Sequence, residues 1–134
     1  MRLEIVFPHP DKALSPNAAR ALSPRAAAAQ NAVKMRLVKE VRHGACVRAR
    51  VALNACQQRN FPAEEVDVTW YYKGVRPDFD NVVARCKAII DGCADAFGIN
   101  DRVLELGRVR RVHDLGIHAG TVQLTFKYGE VRGV

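Results

Sequence analysis

The sequence predicts a single α/β (α+β) domain, a small mixed sheet of about four strands packed against two or three helices. Three observations point there. A chain of 134 residues, 49% hydrophobic and 26% charged, is long enough to bury about two thirds of its unfolded surface around one core. Short stretches alternate apolar with polar residues, the period of half-buried strands. Longer stretches between them carry apolar residues at helical spacing.

Taken in order, Arg2 to Phe7 reads as a strand, with Leu3, Ile5 and Phe7 on one face and Pro8 and Pro10 ending it. Ser23-Pro24 is a helix start, with Ser23 as N-cap and Pro24 at the first helical position. The helix is expected to run to about His43, with Gly44 as its stop and Val33, Leu37, Val38 and Val41 as its apolar stripe. Cys46 to Arg59 alternates like a strand but has the alanines and glutamines of a helix, and helix is preferred. Val66, Val68 and Trp70 alternate with Asp67, Thr69 and Tyr71 in a strand, which Lys73-Gly74 loosens into a loop. Asn81 to Phe97 carries Val82, Val83, Cys86, Ile89, Ile90 and Cys93 at helical spacing, and Gly98 stops it. Val103 to Val112 and Thr121 to Tyr128 complete the sheet, joined through Leu115 to Gly120. There is no internal repeat, and the composition excludes disorder and coiled-coil arrays.

No apolar run reaches the roughly 18 residues of a membrane span, and Met1-Arg2-Leu3-Glu4 lacks the pattern of a secretory signal. The expectation is a cytoplasmic protein with no membrane partner. Cys46, Cys56, Cys86 and Cys93 form no CxxC pair, so free thiols are expected, with Cys86 and Cys93 buried on one helix face.

The net charge of +7 is unevenly placed. Between Asn17 and Asn60 stand Arg20, Arg25, Lys34, Arg36, Lys39, Arg42, Arg48, Arg50 and Arg59 against Glu40 alone, so that segment is +8 and the remainder −1. A one-sided basic surface suits a polyanion, since phosphate contacts with counterion release supply most sequence-independent affinity. Lys34, Arg36, Lys39 and Arg42 are the candidate DNA contacts on the basic helix, although a charged face kept for solubility has the same composition.

Carboxylates concentrate instead in Arg76-Pro77-Asp78-Phe79-Asp80-Asn81. Pro77 keeps Arg76 out of the helical region, so Asp78 and Asp80 are expected to leave an extended segment on one side and to converge on one cation. After Gly98 the chain reaches Asp101, expected to return as a third carboxylate at the start of a strand. Hard oxygen donors in this number suit Mg²⁺, with Mn²⁺ as a substitute, and such ions bridge carboxylates to phosphate oxygens. Basic surface to hold DNA and acids to hold a metal together fit phosphodiester cleavage. A bare DxDN is also read as Asp80 capping a helix, with Asp78 solvated beside it.

These residues, with Lys87, Asp91 and Asp101 following, resemble the signature of the RusA-type Holliday-junction resolvases: D-x-D-N, a lysine on the next helix and a further Asp before a strand. The resemblance extends over most of the chain, from a first strand ending in Pro8-His9-Pro10 to the two closing strands. It implies a homodimer that uses Mg²⁺ to make paired symmetric nicks in four-way DNA junctions, in a cytoplasmic, nucleoid-associated or phage-encoded setting. It implies Asp78, Asp80 and Asp101 as metal-binding catalytic carboxylates, Lys87 as the catalytic cation, and Arg76 and Arg85 as further DNA contacts. The family lysine usually lies four residues after the second Asp, where this chain has Ala84, so Lys87 and Arg85 compete for the role. Asn100 stands where the family often has a further Asp and remains a candidate neutral oxygen ligand. A DNA-binding module without catalysis and a nuclease for other branched DNA are the alternatives. Trp70, Tyr71 and Tyr72 read as strand core and rim, and no histidine is assigned a catalytic role.

Overall fold

The computed structural model describes residues 1–15 and 23–129. The element order is β1 (Arg2–Pro8), a 3-10 turn (Lys12–Leu14), α1 (Pro24–Ala55), β2 (Glu65–Tyr72), α2 (Phe79–Phe97), a second 3-10 turn (Asp101–Val103), β3 (Glu105–His113) and β4 (Thr121–Lys127). The chain is one mixed α+β domain, a four-stranded sheet with two helices, as the hydrophobic periods predict. Arg20 of the basic segment lies outside the described residues.

The sheet order is β1-β4-β2-β3. β4 pairs antiparallel with both β1 and β2, while β2 and β3 are parallel, because α2 carries the chain back between them. Period-two alternation decides which face is wet. Leu3, Ile5 and Phe7, then Val66, Val68 and Trp70, then Val122, Leu124 and Phe126 all point inward, each 8% exposed or less. Both helices contribute to this core: Ala45, Ala49 and Leu53 from α1, and Val82, Cys86, Ile89, Cys93 and Phe97 from α2. The other face is polar, with Arg2, Glu4, Glu65, Asp67, Arg108 and Lys127 lining a shallow groove.

Gly44 does not end the first helix. α1 is continuous for 32 residues and takes in most of Cys46 to Arg59, which excludes the strand alternative there. A mid-helix glycine costs about 1 kcal/mol, and the downstream stripe Ala45, Ala49, Leu53 packed on the core outweighs that. The helix stops instead at Cys56, followed by Gln57 at φ 57°. The apolar stripe is shifted accordingly: Val41 packs against the core, while Val33 is 53% exposed.

The two helices approach closely at Gly92, where a Cβ would run into the backbone carbonyl of Arg42 and the Cβ of Ala45. A small residue here sets the interhelical distance and seats α2 over the sheet. The thiols are free, with Cys86 and Cys93 buried on the inner face of α2 as the spacing predicts, Cys46 half-buried and Cys56 exposed. Burial pushes the Cys86 thiol up to about 12 and raises that of Cys93 as well. No helix among the described residues is long and apolar enough to cross a membrane.

Candidate active site at the start of the crossover helix

Pro77 leads into Asp78, which is the N-cap of α2 in extended conformation (φ −66°, ψ 143°), and its side chain makes no capping bond. The helix therefore starts at Phe79, earlier than Asn81, and Asp80 sits in its first turn. Both carboxylates are exposed, and neither is engaged by another side chain among the described residues. They stand at the carboxyl end of β2, beside a helix N-terminus, the usual place for ligands in sheets with parallel crossovers.

The loop that presents them is held from several sides. Arg111 of β3 donates to the Pro77 carbonyl at 3.1 Å. Ser15 Oγ donates to Asn81 Oδ1 at 2.9 Å, so Asn81 ties the segment after β1 to α2. Arg85 donates through its guanidinium to the Pro10 carbonyl, with its Nε at 2.9 Å, and lies 4.8 Å from the ring centre of Trp70. Burial lowers its pKa from the ordinary value. These contacts make Arg85 a structural strut.

His9 stacks on the buried Trp70, ring centres 3.9 Å apart, and its Nε2 lies 2.9 Å from the Thr121 carbonyl. A carbonyl only accepts, so Nε2 is the donor in this contact. Burial lowers its pKa, against the opposing pull of that carbonyl. Tyr71 stacks on His118, and Tyr72, packed against the core, leans on His113. These histidine contacts are not legible in the sequence, because each joins residues from separate strands or loops that only the folded sheet brings together.

The three aspartates expected to converge do not do so within one chain. Asp101 does not begin a strand: it opens the 3-10 turn beyond the far end of α2, and Asn100 caps that turn by accepting from the Arg102 backbone N–H at 3.0 Å. The chain after α2 folds Asp101 back only as far as Lys87, about two helical turns beyond Asp80, so it reaches the middle of the helix and not its start. Among the described residues no group of three or more Asp, Glu, His or Cys side chains is placed to hold a metal ion. Asn100, engaged in the cap, is likewise no ligand of the Asp78–Asp80 pair.

Asp101 instead joins Lys87 and Asp91. Lys87 Nζ is 3.4 Å from both carboxylate oxygens of Asp91 and 3.9 Å from Asp101 Oδ2. Burial raises the Asp91 pKa; Lys87 pulls it back and Asp101 adds to the rise. Asp80, Lys87 and Asp91, at steps of seven and four, share one face of α2, so the helix displays two acidic groups along one stripe. Of the two competing cations, Lys87 is the one left in solvent, with 71% of its side chain exposed.

The basic residues divide in the same way. Arg42 forms a two-pronged bond to Asp95 of α2, Nε to Oδ2 at 2.7 Å and its second nitrogen to Oδ1 at 2.8 Å, so it clamps the helices together. That bond raises the Arg42 pKa and lowers that of Asp95. Lys34 is half-buried, while Arg36 and Lys39 are exposed on α1 and Arg76 is exposed in the loop before Asp78.

No family model matches the chain. A protein of Xylella fastidiosa (strain Temecula1), described only as uncharacterized, is 36% identical over 125 residues, which cover 90% of this chain and 73% of the relative. The described strands, both helices and the Asp78–Asp80 loop make up nearly all of the chain, so a match of that extent spans the domain. The chain belongs to the same family as this Xylella fastidiosa protein.

Proposed function

We propose that the protein is a Mg²⁺-dependent endodeoxyribonuclease of the RusA type, a homodimer that resolves four-way DNA junctions by paired symmetric nicks. The observation that carries this reading is the pair Asp78 and Asp80: two exposed, unengaged carboxylates flanking a helix start, in a protein of net charge +7. Elsewhere in the fold, carboxylates facing bases are paired with them, as Asp95 is with Arg42 and Asp67 with Lys127.

The donor set fits the ion. Mg²⁺ keeps several waters and is commonly held by one or two carboxylates together with substrate phosphates, so a two-carboxylate site does not require a third acid from the same chain. When bound, Mg²⁺ supplies charge stabilisation at the scissile phosphate and lowers the pKa of an adjacent water. The chain's own residues do the rest. Asp78 and Asp80 would hold the ion, and Arg111, Asn81 and Arg85 tie down the loop and helix start that present them. Arg36, Lys39 and Arg76 are free to meet backbone phosphates. Lys87, between two carboxylates, is the candidate cation on the same helix face. A two-fold dimer suits a junction that needs two symmetric cuts.

A second reading, a DNA-binding module without cleavage, is favoured by the separation of Asp101 from Asp78 and Asp80. Incubation of the purified protein with a synthetic four-way junction and with linear duplex, each with and without Mg²⁺, separates them. Nicks in the junction that need Mg²⁺ support the nuclease; tight junction binding without nicks in Mg²⁺ or Mn²⁺ supports the module.

A further inference from the structure

The end of the molecule that carries Asp78 and Asp80 also carries the most exposed large apolar residues of the described chain. Val75 and Ile117 are each 92% exposed and Leu115 is 72% exposed. They sit on two neighbouring loops, 73–77 and 114–120. The second loop is pinned at both ends to the end of β2, the Asp114 N–H donating to the Tyr72 carbonyl at 2.9 Å and the Gly120 N–H to the Tyr71 carbonyl at 3.3 Å, and the first is held at the Pro77 carbonyl by Arg111. Val75, Ala119 and Gly120 line one cleft of about 460 Å³ together with Lys12, Lys73 and Arg85. Among the described residues, no carboxylate lines that cleft.

Bare β-branched side chains at loop tips gain nothing from folding, since they bury no surface and stand in water. Val75 projects beside Lys12 and Lys73 of the cleft, so whatever covers the cleft is apolar at that contact and anionic beside it; Asp114 on the Ile117 loop is turned to the Gly116 N–H. The exposed face of a base pair framed by backbone phosphates has that chemistry. Aliphatic side chains in other DNA-bending proteins enter base steps in this way, and partial unstacking is cheapest where stacking is already interrupted.

We propose that Val75 and Ile117 form an apolar wedge that enters an interrupted base step at a DNA branch point, with Lys73 and Lys12 taking the flanking phosphates. This rests on the reading of the protein as acting on branched DNA and deepens it: the wedge would select the branch, leaving the aspartates to cut beside it. Unlike the basic residues of α1, which bind any duplex, the wedge contributes only where a step can open.

The test uses the intact chain and a four-way junction carrying 2-aminopurine next to the crossover, with a linear duplex of the same sequence as control. Saturating wild-type protein in Ca²⁺ should raise the fluorescence of the junction probe, through unstacking, and leave the duplex probe unchanged. The double variant Val75→Ser, Ile117→Ser touches no core residue. It should lose the rise and about tenfold of the junction-over-duplex affinity ratio, with duplex affinity and circular dichroism unchanged. Val75→Leu, Ile117→Leu should keep both. A serine variant that retains the rise and the ratio overturns the wedge. So does a serine variant that binds DNA like wild type but sediments at half its mass, which would make the patch a contact between copies. If the wild type cuts the junction in Mg²⁺ yet gives no rise, the wedge fails and the nuclease reading stands; if it neither prefers nor cuts the junction, both fail.

Discussion

The Lys87 ammonium stands 3.9 Å from Asp101 Oδ2, so the aspartate that follows α2 is folded back onto the middle of the helix and away from its start. With Asp91 at 3.4 Å from the same nitrogen, Lys87 is shared by two carboxylates, and the helix face holds this cluster and the Asp78–Asp80 pair as separate groups. That division decides which substitutions should affect stability and which should affect only chemistry.

The Asp91 pKa is raised in the fold, chiefly by burial. A carboxyl whose folded pKa lies above its unfolded one favours the fold most when protonated, below the unfolded value of about 4, and that contribution is lost as pH rises through the folded pKa. Asp91→Asn should therefore be relatively more stable, against wild type, at pH 7 than at pH 3. Urea midpoints at the two pH values measure it, and a variant that loses more at pH 7 than at pH 3 would show that the Lys87 pairing outweighs burial.

Asp95 behaves in the opposite sense. Its bond to Arg42 lowers its pKa, so its contribution is present above the unfolded value of about 4 and disappears as pH falls through the folded one. The pair is well over a third exposed, so Asp95→Asn should cost only up to about 1 kcal/mol at pH 7 and close to nothing at pH 2. Thermal melts across that range check both the size and the direction.

Gly92→Ala should cost about 1–3 kcal/mol, because the added methyl meets a backbone carbonyl that cannot rotate away and the two helices must part. Gly44→Ala is the contrast. Its Cβ would meet nothing within 4 Å, so the gain in helix propensity, roughly 1 kcal/mol, should appear as added stability. Equal effects of the two substitutions in urea melts would contradict the placement of α1 against α2.

Salt dependence separates paired from free bases. Arg36→Glu and Lys39→Glu should each flatten the slope of log affinity against log salt by about 0.9 for every phosphate the side chain neutralises, without loss of stability. Arg42→Glu should instead destabilise the protein, since it sets two carboxylates against each other across the helix pair. A slope unchanged by the first two would move the DNA surface off α1.

The contrast between Arg42 and Arg36 also marks where the sequence stops being legible. Strands, the α2 stop at Gly98, and the burial of Cys86 and Cys93 follow from periods of two and 3.6 residues, which are local properties. Gly44 misleads because its propensity penalty of about 1 kcal/mol is local, whereas the packing of Ala45, Ala49 and Leu53 that overrides it depends on a partner helix distant in the chain. Arg42, Arg85 and Arg36 look alike in a sequence, and only the fold shows that the first holds Asp95, the second the Pro10 carbonyl and the third faces solvent. The DxDN pair is legible as such, but where Asp101 returns along α2 is set by the turn after Gly98, which the sequence does not show, and it stops at Lys87.

The most direct measurement of the central claim is single-turnover cleavage of a four-way junction in Mg²⁺ by wild type, Asp80→Asn and Asp78→Asn. Wild type should nick the junction symmetrically, and each variant should lose about a hundredfold or more in rate while junction affinity holds or tightens, because a ligand charge and its repulsion toward phosphate go together. Cleavage by Asp80→Asn at the wild-type rate would contradict the assignment of the metal site to the start of α2.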